Sequence, residues 1–358
     1  MFGKPGKKLL TLKQRFNLRR ALNIAIFWTA VDFLMSIVTY INGNDSVRII
    51  NLVPRLILVF IMSLIMAYLY VRTFKEIFPN SSRWLNFLAK SLVILSVALL
   101  MNFSVNFIEI VFFNHRAPGE ALSTYFQKTF NLKYLVGRTL YWMVIFVVTE
   151  LYLEINDKYA PGVYLDILSG KYKNPKDETR IIVFLDLKDS TPIAEKLGHA
   201  QNFLFIRLFI QHVAEAVIVN DGIIYQYVGD EVVVSWPYTP KNIKKAMGTV
   251  LTARRNIQKK SEVYRRQFGI VPEFRVGMHI GDVTIGEIGV MKKDLAMSGD
   301  TMNTTARIRS ACNELNQKFI VSKAFIEKSG LKDWQTESLG PMDLKGKTES
   351  VELFALRF

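Results

Sequence analysis

Four long apolar runs lie in the first 155 residues, and this cluster limits the fold more than any other feature. A membrane-spanning helix needs about 20 mostly apolar residues. The candidates are Ala21–Ile41, Leu56–Val71, Ser91–Phe113 and Thr139–Ile155. The sequence therefore predicts an α-helical transmembrane bundle of four spans in residues 1–155, a polar junction in 156–179 and a separate domain in 180–358.

Basic residues predict the orientation of this bundle. Residues 1–20 contain lysines and arginines but no acid, and the segment between the second and third spans is also basic. Such segments lie in the cytoplasm, and an even number of spans then places residues 180–358 there too. The net charge of +15 suits either nucleic acid or anionic lipid. We favour the lipid bilayer and no nucleic acid, because basic residues flank the spans and no nucleic-acid motif is present.

Several ionisable residues fall inside or near the predicted spans. Charges at membrane depth suggest function by default. An interhelical pair or an interfacial position is the simpler interpretation, and we favour it. These residues are Asp32, Glu109, Arg138 and Glu150.

Beyond residue 180, short β-rich runs alternate with helical patterns. The predicted strands are 180–187, 223–228, 232–236, 273–280, 283–288, 319–321, 337–339 and 351–356. The predicted helices are 192–219, 242–268 and 301–315, with a further short one after 321. Alternation that includes hairpins indicates a mixed α/β or α+β sandwich. The single cysteine, Cys312, excludes an intrachain disulfide and is expected to be a small packed residue.

Two aspartates stand where a metal site would need them. Asp186 ends the first buried strand, and Asp230 lies at the tip of the next hairpin. Two carboxylates from neighbouring strands suit magnesium ions that assist an in-line phosphoryl displacement, although either aspartate alone is commonly a turn residue. Ser190 and Thr191 begin the following helix, where backbone N–H groups can bind a triphosphate. They can equally be ordinary N-caps.

Four motifs in order give a specific resemblance. Together they resemble the catalytic domain of class III nucleotidyl cyclases of the bacterial membrane-anchored type, over roughly Arg180 to Phe358. That resemblance implies an α+β domain with a mixed, mainly antiparallel sheet flanked by helices. The motifs are Phe184–Thr191, Tyr227–Asp230, Gly277–Gly281 and Gly299–Arg307.

The resemblance also implies roles for individual residues. Asp186 and Asp230 would bind two Mg²⁺ or Mn²⁺ ions per site. Asn303 and Arg307 would be catalytic, orienting the ribose and stabilising the transition-state phosphate, and Lys345 would bind phosphate. In this family the metal pair and the Asn/Arg pair of one site come from different subunits, so a head-to-tail homodimer is implied.

Departures from the family pattern concern the base and the phosphates. At the position of Gln226, adenylate cyclases commonly have Lys and guanylate cyclases have Glu. At the position of Ala296, adenylate cyclases commonly have Asp, Thr or Ser and guanylate cyclases have Cys. A glutamine amide can pair with either purine, so the residues leave ATP and GTP open. We predict ATP because adenylate cyclases are the commoner bacterial members. Asp189 stands where Gly is frequent, and it either faces solvent or weakens phosphate binding.

The resulting prediction is a multi-pass adenylate cyclase of the inner (plasma) membrane, acting in signal transduction by converting ATP to 3′,5′-cyclic AMP and pyrophosphate. Alternatives are a guanylate cyclase and a non-catalytic receptor or scaffold with a cyclase-like dimerisation domain. A diguanylate cyclase is suggested by Gly229-Asp230-Glu231 but has no place for the helix with Asn303 and Arg307. His279 is expected to be a hydrogen-bonded strand residue rather than a general base.

Overall fold

The computed structural model describes residues 12–41, 52–77, 117–129, 132–158, 169–289, 294–331, 335–343 and 350–357, with isolated residues between 85 and 111 and at 166. The chain divides into two compact units, Met1–Asp157 and Lys158–Phe358. Each unit is described separately below.

The described part of the first unit is helical. Its helices are α1 (Leu12–Ile41), α2 (Leu52–Ile77), α3 (Pro118–Thr129) and α4 (Leu132–Lys158). In this unit, α1 and α2 contain segments long and apolar enough to cross a membrane, Phe16–Val38 and Leu52–Arg72. In α4 the corresponding segment, Met143–Leu153, is shorter. The predicted third span, Ser91–Phe113, lies largely outside the described residues, so the count of four spans stays a prediction.

Polar contacts join the helices of this unit. Asp32 of α1 forms an ion pair with Arg55 of α2, at 3.4 Å between Oδ2 and Nε. The Tyr70 hydroxyl donates a hydrogen bond to Glu150. Asp32 is thus part of an interhelical pair, as the simpler interpretation expected. The Glu109 and Arg138 side chains lie outside the described part of the structure.

The second unit is built on one mixed sheet, whose order is β2-β3-β1-β4-β6-β8-β7, with β5 paired to β4. Among the described strands only β4 and β6 pair in parallel, which confirms a mixed, mainly antiparallel α+β domain. The strands are β1 (Lys176–Leu187), β2 (Ile223–Val228), β3 (Glu231–Pro237), β4 (Phe274–Ile288), β5 (Asp294–Ser298), β6 (Phe319–Ser322), β7 (Thr336–Met342) and β8 (Val351–Leu356). The helices are α5 (Ser190–Val219), α6 (Pro240–Lys259), α7 (Ser261–Phe268), α8 (Asp300–Glu314) and α9 (Lys323–Ser329).

Helix α5 lies over one face of the sheet. Its length and hydropathy also match a membrane span, but the fully buried Phe205, Phe209 and Val213 pack in the core with residues of β1. The core therefore explains the apolar residues on the buried face of α5, whereas Phe203 and Leu204 are exposed. Gly198 interrupts the helix with a left-handed φ of 70°, a conformation that glycine adopts without steric cost.

Several predicted boundaries are wrong. Strand β1 begins at Lys176, inside the predicted junction 156–179, and not at Arg180, because Lys176–Thr179 pair with the far end of β4. The strands predicted at 273–280 and 283–288 form one strand, β4, because Gly281 and Asp282 continue the pairing with Arg180 and Thr179 of β1. The helix predicted at 242–268 breaks at Lys260 into α6 and α7. Both pieces keep one buried face, so periodicity alone did not reveal the turn. Strand β5 was not predicted.

Candidate active site

The two predicted metal carboxylates lie close together, where strand β1 ends and strand β3 begins. Leu185 of β1 pairs with Val232 of β3, which places Asp186 beside the turn that carries Asp230. Burial raises the pKa of Asp186, the Arg309 guanidinium opposes that rise, and Asp230 adds to it. The structure therefore brings together the two aspartates that the sequence separates by more than forty positions.

The donor set at this point suits a divalent cation. Asp230 Oδ2 is buried and has no hydrogen-bond partner among the residues that the structure describes, and a buried carboxylate oxygen without a donor is costly. No cluster of three or more His, Cys, Asp or Glu ligands occurs within the described residues. Magnesium commonly uses only one or two carboxylates and completes its octahedron with water and substrate phosphate. Asp186 and Asp230 fit that pattern.

Sequence reasoning missed two charged neighbours of this pair. The Arg309 guanidinium lies 3.3 Å from Asp186 Oδ2 and 2.7 Å from Glu231 Oε2. Burial raises the pKa of Glu231 and Arg309 opposes the rise. Glu231 could have been noticed because it follows Asp230 directly. Arg309 carried no signal, because it lies two residues beyond Arg307 and so on a different face of the helix.

Helix α8 carries the predicted catalytic pair. Asn303 is exposed and Arg307 is partly exposed, and neither makes a hydrogen bond or ion pair with the part of the chain that the structure describes. Successive helical residues are about 100° apart, so Arg307 points about 200° away from Arg309. Since Arg309 reaches the chain's own Asp186, Arg307 is directed elsewhere. The chain therefore does not join Asn303 and Arg307 to its own aspartates.

A glycine sets the height of α8 above the sheet. A Cβ on Gly277 of β4 would lie 2.5 Å from the backbone nitrogen of Arg309 and 2.8 Å from its Cα. No side chain fits in that space. The close approach of α8 and β4 is what lets Arg309 reach Asp186 on the next strand.

The two positions predicted to select the base lie on strands that one tyrosine joins. Gln226 is exposed on β2, and Ala296 is partly buried on β5. Tyr225 precedes Gln226 and Met297 follows Ala296, and the Met297 amide donates a hydrogen bond to the Tyr225 hydroxyl at 2.9 Å. The β2–β3 register shifts at Tyr225, and its ring packs with the cluster beneath β5. No base ligand was predicted at Tyr225, because a tyrosine in a strand normally indicates packing.

The comparisons with known proteins decide the family. A family model described as the adenylate and guanylate cyclase catalytic domain matches residues 172–357, just over half of the chain. The chain belongs to the adenylate and guanylate cyclase family. The class III resemblance inferred from four short motifs is thereby confirmed.

This cyclase resembles bacterial adenylate cyclases in sequence. Adenylate cyclase 2 of Rhizobium meliloti (strain 1021) is 30% identical over 206 residues, which make up 57% of each chain. The adenylate cyclase of Anabaena cylindrica is 22% identical over 185 residues, covering 49% of this cyclase and 36% of that protein. The chain thus spans little more than half of the first relative and about a third of the second.

A solved structure shares the fold. The structure of a bacterial light-regulated adenylyl cyclase is 18% identical, with a TM-score of 0.51, covering 60% of this cyclase and 64% of that chain. At this identity the likeness supports the fold alone.

The residues predicted to lie near the phosphates are those at the start of α5 and Lys345. Asp189, not Ser190 or Thr191, is the N-cap of α5, so the N-cap alternative is wrong. Asp189 has a left-handed φ of 56°, which explains why glycine suits this position and why Asp, more tolerant of it than most residues, is accepted. Its side chain is 58% exposed and faces solvent. Lys345 lies outside the described residues.

Two other sequence interpretations concern residues of the cyclase core. His279 Nδ1 is 2.7 Å from the Ser322 hydroxyl, as expected for a hydrogen-bonded strand histidine. Cys312 is buried, its thiol donates to the Val276 carbonyl, and burial raises its pKa to about 12. It is a packed residue, as predicted.

Proposed function

We propose that this cyclase converts ATP to 3′,5′-cyclic AMP and pyrophosphate. The observation that carries the proposal is the proximity of Asp186 and Asp230, whose buried Oδ2 has no hydrogen-bond partner in the described part of the chain, on the fold of a cyclase catalytic domain. The named relatives are adenylate cyclases. Since the chain spans only part of their length, the activity of the whole protein is proposed here by similarity.

Asp186 and Asp230 would hold two Mg²⁺ or Mn²⁺ ions. When bound, such ions activate the attacking oxygen and offset charge on the triphosphate. The first amides of α5, at Ser190 and Thr191, lack intrahelical acceptors by helix geometry and would donate to phosphate oxygens. Lys345 would add a further positive charge.

Arg307 would donate two parallel hydrogen bonds to the reacting phosphate, a geometry that a guanidinium provides and an ammonium does not. Asn303, one turn earlier on the same face of α8, would hold the ribose so that its 3′-hydroxyl is in line with the α-phosphate. The chain's contribution is positioning and electrostatic stabilisation. No protein nucleophile is needed.

A head-to-tail homodimer would complete each site. Arg309 is turned to the aspartates of its own chain while Arg307, about 200° round the helix, is turned away from them. A second protomer would place its own Asn303 and Arg307 over these aspartates. The exposed apolar residues Tyr227 and Val228 at the outer strand β2 support an interface beside the metal site.

The base would be recognised by Gln226 and Ala296. ATP is favoured by the adenylate cyclase relatives. GTP is the second candidate, and it rests on the exposed amide of Gln226, which can present either its donor or its acceptor to a purine.

The first unit would anchor the enzyme in the inner (plasma) membrane with four spans and the cyclase domain in the cytoplasm. The helices α1 and α2 support this, because each contains a membrane-length apolar segment. The basic residues before α1 support a cytoplasmic N-terminus. In this arrangement the cyclase would act in signal transduction.

Product identification tests the proposal. The purified chain is incubated with ATP or GTP and Mn²⁺, and the products are separated and identified. We expect cyclic AMP and pyrophosphate from ATP, and loss of turnover in Asp186→Ala and Asp230→Ala with the dimer intact. Cyclic GMP as the main product would favour the second candidate. Unchanged activity in either variant would refute the metal assignment.

A further inference from the structure

Arg309 occupies an unexpected place in this site. Its guanidinium contacts both Asp186, a proposed metal ligand, and Glu231. Glu231 directly follows Asp230, the second proposed metal ligand. Both contacts are within one chain and mostly shielded from water, since the Arg309 side chain is 23% exposed and the two carboxylates are 19% and 11% exposed. A contact of this kind between fixed charges is much less screened than a surface pair.

The backbone holds Arg309 in this position. Its nitrogen and Cα lie over Gly277 with no room for a methyl group between them. The Nε atom is buried and has no hydrogen-bond partner within the described residues, and the two terminal nitrogens contact Asp186 and Glu231. The Arg309 side chain is therefore fixed at its backbone end by helix α8 and at its guanidinium end by the two carboxylates.

We propose that Arg309 is an internal counter-cation that competes with the divalent ions for Asp186. This inference rests on the proposed metal role of Asp186. In the metal-free protein the guanidinium offsets part of the carboxylate charge. Incoming dications repel it and require the same Asp186 oxygens, so metal binding must break or weaken the contact with Asp186. Glu231, which is not a proposed ligand, retains Arg309 when Asp186 is released.

The contact with Arg309 therefore stabilises the metal-free site and raises the metal concentration needed to fill it. Neighbouring buried carboxylates repel one another when no cation is present. Arg309 removes part of that repulsion, and every ion that binds must replace its contribution. The residue is thus a positioning residue that sets the metal concentration at which the site fills, without contacting the substrate.

Metal binding and stability of the full-length chain, purified in detergent, test this inference. Mn²⁺ is titrated without nucleotide, free Mn²⁺ is followed by electron paramagnetic resonance, and unfolding of metal-free protein is followed by heating. We expect Arg309→Gln to bind Mn²⁺ roughly tenfold more tightly, about 1.4 kcal/mol, and to unfold a few degrees lower without metal. Arg309→Lys keeps the charge but loses the fork, so an intermediate result is expected.

Two controls separate the possible failures. Arg265→Gln removes the same charge from the exposed helix α7, where Arg265 faces Glu262, and should leave Mn²⁺ affinity unchanged. Asp186→Asn should abolish the binding. If Asp186→Asn still binds Mn²⁺ like the unmodified chain, the proposed metal role is wrong. If Asp186→Asn loses binding but Arg309→Gln binds Mn²⁺ no more tightly than the unmodified chain, the counter-cation role is refuted. It is also refuted if neither the unmodified chain nor Arg309→Gln binds Mn²⁺.

Discussion

Replacing Gly277 with alanine tests whether the close contact between α8 and β4 positions the catalytic helix. The new Cβ would lie 2.5, 2.8 and 2.9 Å from the nitrogen, Cα and Cβ of Arg309. Carbon atoms pack at about 3.5 Å or more, so α8 must move by about 1 Å. The neighbours include helix backbone, so no flexible side chain can absorb the whole change.

The expected cost follows from that displacement. Overpacking a close-packed interior typically costs about 1–3 kcal/mol, which for a unit of this size lowers the thermal midpoint by roughly 2–12 °C. Activity should fall more than stability does. A misplacement of about 1 Å can cost about 100-fold in rate, and α8 carries Asn303, Arg307 and Arg309 together.

The assay compares thermal unfolding and initial rates of cyclic nucleotide formation, the rates being measured well below the midpoint. Gly286→Ala is the matched control on the same strand, because its Cβ would lie 3.3–3.5 Å from atoms of Pro175, so that a much smaller adjustment accommodates it. Neither glycine has a left-handed φ, so backbone strain does not separate the two. If Gly277→Ala matched Gly286→Ala in both rate and midpoint, the positioning argument would be refuted.

Two further predictions concern the core and the base site. Burial lowers the pKa of His212, whose Nδ1 is 2.9 Å from the Tyr264 hydroxyl, so stability is complete above about pH 6.5 and falls at lower pH by at most about 1.4 kcal/mol per unit. Thermal midpoints from pH 7.5 to 5.5 should therefore drop less in His212→Gln, and equal slopes would contradict this. Tyr225→Phe removes the acceptor of the Met297 amide and should change the ATP/GTP ratio of kcat/KM by up to about tenfold. An unchanged ratio would mean that Tyr225 only packs.

The sequence predicted most of the second unit because local signals and tertiary structure agree there. The strand that carries Asp186 and the hairpin at Asp230 are marked by apolar runs and a Gly-Asp turn, and both elements are present, although β1 begins four residues earlier than predicted. The prediction was wrong where a neighbouring strand, rather than the local sequence, determines the secondary structure. Gly281 and Asp282 look like a turn, but β1 extends beside them and continues the pairing through both.

The candidate site was predictable to the level of its motifs and no further. Asn303 and Arg307 are implied by the resemblance to the cyclase family, and their spacing of four places them on one face of a helix. The role of Arg309 depends on the height of α8 above the sheet, which Gly277 sets from a distant strand. No pattern along the chain links Arg309 to Asp186 or Glu231. The link between Tyr225 and Met297 was missed for the same reason.

Complementation between two inactive variants tests the central claim most directly, namely that one protomer supplies the aspartates and its partner the Asn/Arg pair. Asp186→Ala and Arg307→Ala chains are produced separately and together, and cyclic AMP formation is measured for each sample at equal protein concentration. Each variant alone should be inactive. Random pairing should make half of the dimers mixed, each with one intact site, so the co-produced sample should recover about a quarter of normal activity. No recovery in dimers shown to contain both chains would contradict the claim.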